Sequence, residues 1–166
     1  MRGLSLLLGT AGAVAGFLTW IGLSDLLPAD PAAASMSVRL GLAAFSLLPA
    51  AAVLAAMVLA QMIARFWQGA FDPGAGKDGQ FLRLNQRVIS NSVEQIAILA
   101  PAILALAAGA PGVQMGQVIA LAWVFALARL LFWAGYLISP MLRAPGMAAS
   151  FAVCLAALGW AVFVWV

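Results

Sequence analysis

Residues 113–138 read VQMGQVIALAWVFALARLLFWAGYLI, and this stretch decides the fold class. It is long enough to cross the hydrocarbon core of a bilayer as a helix, which takes roughly 20 apolar residues. Its one charged residue is Arg129. Because lipid offers no partners to backbone N–H and C=O groups, a helix is the expected conformation. The alternation of polar and apolar residues that marks a strand of a membrane barrel is missing here.

The rest of the chain repeats this pattern. Hydrophobic residues make up 66% of the sequence and charged residues only 8%, whereas a soluble domain carries roughly 25% charged residues. The sequence therefore predicts an all-α integral membrane protein with five spans. The other four spans are expected at about Gly3–Leu27, Leu40–Ala64, Val88–Ala108 and Met147–Val166.

The first span has an alternative interpretation. Met1 and Arg2 precede a run of leucines, as in a secretory signal peptide. The apolar run is long for the core of a signal, so we interpret it as a membrane helix. Within the later spans, Pro49 and Pro101 are expected to kink their helices.

Basic residues predict the orientation. With five spans, one end of the bundle is basic, and the opposite end carries Asp25, Asp30 and Arg39. Because Lys and Arg accumulate on the cytoplasmic side, the N-terminus is expected inside and the C-terminus outside. The residues at the basic end are Arg2, Arg65, Lys77, Arg83, Arg87 and Arg143.

The composition also excludes several kinds of site. The chain has no His and a single cysteine, Cys154. A Cys/His metal site and an internal disulfide are therefore excluded, and Cys154 is expected to be a packing residue. The net charge of +3 comes from few groups, so a basic surface for nucleic acid is not expected.

Polar residues inside the helices carry the functional information, since an ionised residue near the bilayer centre costs at least about 2.5–3.5 kcal/mol. Arg83, Arg87, Asn91 and Glu94 recur at helical spacing, which places them on one face of the third span. In the fourth span Arg129 and Tyr136 are seven residues apart and share a face, and Arg143 follows after another seven residues.

Three interpretations of these residues remain open. Glu94 and Arg129 lie at similar predicted depth and could form a buried pair that fixes helix register. Single arginines such as Arg65 and Arg83 could extend to the interface and set topology. Alternatively, the set forms a binding site for a small ligand with several carboxylates and one amine. That site would contain Arg65, Arg87, Asn91, Glu94, Tyr136 and Arg143.

At these positions the sequence resembles the MAPEG family, membrane-associated proteins of eicosanoid and glutathione metabolism. Arg87, Asn91 and Glu94, within NQRVISNSVEQ, match the family's first motif, and NSVEQ resembles its bacterial branch. The resemblance covers about Leu40–Val166. A second motif is matched in order and spacing by Ala128-Arg129, Phe132, Gly135-Tyr136, Arg143 and Ala144-Pro145-Gly146, and Arg65 matches an arginine at the end of the preceding helix.

The resemblance implies a four-helix bundle over residues 38–166, preceded by an extra membrane helix and loop over residues 1–37. It implies a homotrimer that binds glutathione as co-substrate between protomers. Arg143 would be the catalytic residue that lowers the thiol pKa of glutathione, and Arg129 a structural buried polar residue. The residues that would hold glutathione are Arg65, Arg87, Asn91, Glu94 and Tyr136.

Two departures bear on function. Gln95 and Phe132 stand where some members of the family have tyrosine. The leading hypothesis is a glutathione-dependent transferase or peroxidase that acts on lipophilic electrophiles in a bacterial inner membrane. The alternative is a non-catalytic scaffold, or an auxiliary subunit that joins a larger membrane complex through the N-terminal helix. A transporter has little support, because no internal repeat is found.

Overall fold

A computed structural model describes residues 2–27, 31–72, 74, 76 and 78–166. The predicted loop residues Pro28, Asp30 and Lys77 lie outside the described residues, as does Met1. Within the described part the chain is helical, with 3-10 turns at Pro31–Ala34 and Gly112–Gln114. The helices are α1 (Arg2–Leu26), α2 (Met36–Ser46), α3 (Leu48–Gln68), α4 (Gln80–Gly109), α5 (Met115–Ile138) and α6 (Arg143–Trp165).

Five membrane spans are confirmed, because α2 and α3 together make one of them. Met36–Gln68 is 33 residues long, and the four other helices are each long and apolar enough to cross a bilayer. The helical run is interrupted at Leu47, and Pro49 lies in the first turn of α3. Proline has no N–H to continue the ladder of hydrogen bonds, which explains the break. At Pro101, in contrast, α4 continues to Gly109.

Two helices reach further toward the basic end than their apolar runs predict. Helix α4 begins at Gln80 rather than near Val88, and α6 begins at Arg143 rather than near Met147. The predicted turn over 139–146 is therefore shorter, because Pro145 belongs to the first turn of α6. Proline is tolerated there, since the first N–H groups of a helix have no partner within it.

The core lies around α5, the most buried of the spans. Leu121 and Phe125 of α5 are fully buried against Leu99 and Ile103 of α4 and Val153 of α6. Successive spans run in opposite directions, so the ends at Gln68, Gln80, Ile138 and Arg143 share one side of the bundle.

Helix α1 packs on the outside of the bundle, against α5 and α6. Its glycine face contacts α6, and Trp20 Nε1 donates to the Gln117 carbonyl oxygen of α5 at 3.0 Å. Its opposite face is apolar and exposed, with Leu6 70% and Leu7 69% accessible. Helix α1 therefore has one face on its own chain and one face suited to lipid.

At the end away from Arg143, Arg39 closes the bundle. Its Nε donates to the Ala107 carbonyl oxygen at 2.8 Å, and Nη2 donates to that of Ala108 at 3.2 Å. Nη1 donates to the Ala34 carbonyl oxygen at 2.8 Å. The cation thus satisfies carbonyl groups at the C-terminus of α4, where helix polarity favours positive charge.

Candidate functional site

A cavity of about 250 Å³ opens between α4, α5 and α6 at the basic end of the bundle. Each helix contributes two side chains one turn apart, because residues four apart share a helical face. The cavity combines two cations and two polar groups with a phenyl ring and a thioether. The lining residues are Arg87 and Asn91 of α4, Phe132 and Tyr136 of α5, and Arg143 and Met147 of α6.

Aromatic rings hold the two arginines of the second motif in a column along α5. The Arg129 guanidinium carbon lies 4.1 Å from the ring centroid of Phe132. Phe132 stacks on Tyr136 with ring centroids 5.6 Å apart, and the Arg143 guanidinium carbon lies 4.8 Å from the Tyr136 centroid. The electron-rich faces of the rings attract each cation by roughly 0.5–2 kcal/mol. This contact keeps the exposed Arg143 side chain over the cavity.

Arg129 does not line the cavity but lies buried behind Asn91 and Phe132, with only 1% of its surface exposed. Nη1 donates to Asn91 Oδ1 at 3.1 Å and to Ser150 Oγ at 3.2 Å, and Nη2 donates to Ser92 Oγ at 2.8 Å. The cation therefore joins α4, α5 and α6 through neutral oxygens. It also orients the Asn91 amide, because the oxygen that it binds can no longer turn into the cavity.

The predicted buried pair of Glu94 and Arg129 is wrong. Glu94 is exposed on α4, where its Oε2 lies 3.5 Å from Asn91 Nδ2. Across the described residues the one ion pair joins Arg65 to Asp78. The physical reason is rotation along the helix: Asn91 and Ser92 face α5 and α6, while Glu94 points away from them.

Arg65 also lies away from the cavity in this chain. Its Nη1 and Nη2 donate to the two carboxylate oxygens of Asp78 at 3.0 and 3.1 Å, and Nη1 donates to the Ala70 carbonyl oxygen at 3.1 Å. The guanidinium thus ties the loop between α3 and α4 to the end of α3. Of the predicted ligand residues, the structure brings together Arg87, Asn91, Tyr136 and Arg143, but not Arg65 or Glu94.

A second polar network beside the cavity was missed by the sequence analysis. Asn85 is fully buried, and its Nδ2 donates to Gln61 Oε1 and to the Met57 carbonyl oxygen, each at 2.9 Å. Its Oδ1 accepts a bond of 2.7 Å from Trp133 Nε1. This amide joins α3, α4 and α5 close to Arg87. Asn85 lies seven residues before Ser92 and therefore on the same buried face of α4. This spacing was the signal in the sequence that could have indicated the network.

The two departures from the family pattern lie in and beneath the cavity. Phe132 lines it without a hydroxyl group. Gln95 is 97% buried below Met147, whose sulfur lies 3.4 Å from Gln95 Nε2. Cys154 is fully buried and its thiol donates to the Gln95 carbonyl oxygen at 3.5 Å. Gln95 and Cys154 therefore pack the core behind the cavity.

Comparison with known families identifies the bundle. A sequence profile of the MAPEG family matches residues 38–163. Searches of curated proteins and of solved structures found no significant match. The matched segment includes nearly all of α2 to α6 and every residue that lines the cavity, while α1 precedes it. The chain belongs to the MAPEG family of membrane proteins, whose roles lie in eicosanoid and glutathione metabolism.

Proposed function

We propose that this chain is a membrane-bound glutathione-dependent transferase or peroxidase that acts on lipophilic electrophiles. The cavity is the observation that carries the proposal, because it joins Arg87 and Arg143 to the apolar surfaces of Phe132 and Met147. Two guanidinium groups match the two carboxylates of glutathione, which arginine binds through paired donors. The apolar side chains would contact a substrate that enters from the bilayer.

Arg143 is proposed as the catalytic residue. Arg143 is the first residue of α6, and its guanidinium lies over the Tyr136 ring. The partial positive charge of the helix N-terminus adds to the charge of the guanidinium. A cation beside sulfur favours the thiolate, which is the reactive form of a thiol. We place Tyr136 and Asn91 as groups that orient glutathione, with Asn91 held in turn by Arg129.

The thiolate of glutathione supplies the nucleophile. In a transfer reaction its sulfur forms a bond to an electrophilic carbon, and the leaving group departs with the electron pair. In a peroxidase reaction the sulfur attacks the O–O bond of a hydroperoxide and the alcohol leaves after protonation. A second glutathione then converts the oxidised sulfur to the disulfide and releases water. The protein's part in both reactions is to hold the anionic sulfur beside Arg143.

A homotrimer is proposed to complete the site. Arg87, Ser90 and Glu94 are all exposed on one face of α4, and Glu94 lies about 21 Å along the axis from the start of α4. An ionised group facing lipid at such a depth costs at least about 2.5–3.5 kcal/mol. Neighbouring copies would cover this face. By resemblance, Glu94 and Arg65 would then complete glutathione sites formed between protomers.

The proposed location is the cytoplasmic membrane of a bacterium, with the cavity at the cytoplasmic side. The end that holds the cavity also carries Arg65 and Arg83, whereas Asp25 and Arg39 lie at the other end. The positive-inside rule then places the N-terminus inside. A reporter fused to the N-terminus is expected on the inner face, and a signal from the outer face would contradict this orientation.

Glutathione binding by the detergent-purified protein tests the proposed function. Calorimetry is expected to show binding at millimolar glutathione or below, with a weaker affinity in Arg87→Ala. Arg83→Ala is the matched control, because Arg83 is also an exposed arginine of α4 but does not line the cavity. If the wild-type protein binds no glutathione in the millimolar range, the enzyme proposal is wrong.

The scaffold alternative makes a different prediction. It requires stoichiometric co-purification with a larger membrane complex that contacts α1. Because the glycine face of α1 packs on its own chain, such a complex would contact the exposed apolar face. Isolation of a homotrimer that conjugates an electrophile would count against the scaffold, and isolation of a fixed complex without glutathione binding would support it.

A further inference from the structure

Helix α1 touches the catalytic end of the bundle at one close backbone contact. A Cβ atom built on Gly12 would overlap the backbone carbonyl group and Cα of Pro145. One turn later, a Cβ on Gly16 would lie 3.1 Å from that of Ala149. Beside Gly12, the seam between α1 and α5 opens into an apolar groove of about 380 Å³. The close approach of α1 is therefore concentrated on α6.

The first turn of α6 is held on another side by α5. A Cβ on Gly146 would overlap backbone atoms of Phe132 and of Ala128. Pro145 and Gly146 are neighbours, so the same turn lies between the backbones of α1 and α5. Arg143 begins this turn, and its guanidinium reaches Tyr136 from there. A shift of the turn would move the cation relative to the cavity.

We propose that α1 positions the Arg143 guanidinium, by seating the first turn of α6 through the contact of Gly12 with Pro145. A helix that precedes the matched family segment thus tunes the cation that faces the substrate sulfur. Gly12 is a positioning residue in this proposal, since it acts through Pro145 and Arg143. The catalytic consequence rests on the proposed function, whereas the geometric part does not.

Tyr136 offers a direct test, because it is the only tyrosine in the sequence. Incorporation of 3-fluorotyrosine gives one fluorine resonance beside the Arg143 cation. Arg143→Gln supplies the reference frequency for loss of that cation. We expect Gly12→Ala to move the resonance toward this reference. Gly9→Ala is the matched control in the same seam, because its Cβ would lie at an ordinary 3.8 Å from that of Ala148. It is expected to leave the resonance in place.

Kinetics with glutathione supply the second readout. In Gly12→Ala we expect a roughly tenfold loss of kcat with the KM for glutathione changed less than about twofold, as for a displaced catalytic group. The ultraviolet absorbance of bound thiolate should fall in parallel. If wild-type protein binds no glutathione, the proposed function fails, while the fluorine comparison still decides the geometric proposal.

The outcomes separate clearly. A folded Gly12→Ala protein whose fluorine resonance matches the wild type would overturn the proposal, as would equal shifts in Gly12→Ala and Gly9→Ala. If Gly12→Ala does not fold, Gly16→Ala decides by the same criterion, because its methyl group needs only a small movement of Ala149. A smaller shift in the same direction supports the proposal, and an unchanged resonance refutes it.

Discussion

The two ends of the bundle use arginine in opposite ways. At one end, Arg39 donates through all three guanidinium nitrogens to backbone carbonyl oxygens. At the other end, Arg87 and Arg143 line a cavity, and the part of the chain that the structure describes gives neither a hydrogen-bond acceptor. At the first end the cation closes the fold, and at the second end the two guanidinium groups face a cavity.

This comparison separates arginines that the sequence placed in one group. Arg65 and Arg129 resemble Arg39, because their donors are occupied by Asp78 and by Asn91, Ser92 and Ser150. Among the arginines whose side chains the structure describes, Arg87 and Arg143 alone are both exposed and part of the cavity lining. In a membrane helix, therefore, an arginine indicates a site when its donors lack protein partners, and its presence alone does not.

The largest effect is expected on kcat when Arg143 is replaced. Arg143→Ala should lower kcat for conjugation of a generic electrophile by about 10²–10³-fold, the usual effect of removing one group that stabilises developing or bound anionic charge. Its thermal unfolding should stay near that of the wild type, because the side chain is exposed. Steady-state kinetics check this prediction, with Arg83→Ala as the control. Full activity in Arg143→Ala would remove Arg143 from the mechanism.

A large effect on stability is expected at Arg129. Arg129→Met keeps much of the volume but leaves Asn91, Ser92 and Ser150 without their donor, so the free energy of unfolding should fall by about 3 kcal/mol. Denaturant titration in detergent measures it. A double-mutant cycle with Glu94→Gln should give a coupling energy below about 1 kcal/mol, because the two side chains meet only through Asn91. A coupling above about 1 kcal/mol would restore the Glu94–Arg129 pair.

The sequence was sufficient for the fold because one physical rule dominates it. Long apolar runs must be helices in lipid, and the predicted span 113–138 coincides closely with α5 at Met115–Ile138. The rule fails where a helix leaves the hydrocarbon. Polar residues such as Arg83 no longer mark the end of the helix there, so α4 begins earlier than its apolar run.

The site was only partly predictable for a different reason. Spacing tells which residues share a helical face, and it grouped Arg87 with Asn91 on α4. Tyr136 and Arg143 lie on different helices, and they meet because the chain turns between α5 and α6. Spacing cannot tell which neighbour covers that face. A pair of Glu94 with Arg129 therefore stayed open among the interpretations, although Glu94 is exposed. The Asn85 network was not predicted, because its partners come from distant segments.

A moderate effect on stability is expected when Arg39, at the end of the bundle away from the cavity, is replaced. Arg39→Met should lower the free energy of unfolding by about 1–2 kcal/mol, since several carbonyl groups at the end of α4 lose a charged donor. Glutathione binding should not change, because Arg39 lies at the opposite end from the cavity. Arg83→Met, on an exposed position, is the control for loss of a basic side chain. A fall in glutathione affinity in Arg39→Met would show that the two ends are coupled.

The smallest effect on stability is expected at the ion pair between Arg65 and Asp78. The same variants test whether Arg65 has only a structural role, as Arg39 has, or also contacts the ligand. Both side chains are 18% accessible, so Asp78→Asn and Arg65→Ala should each lower the free energy of unfolding by no more than about 1 kcal/mol. Their effects on glutathione should differ. If a neighbouring copy's Arg65 contacts the ligand, as the trimer proposal requires, Arg65→Ala raises the KM well above the value in Asp78→Asn. Equal KM values in the two variants would make Arg65 a loop residue only, and the comparison would then leave Arg87 and Arg143 as the arginines of the site.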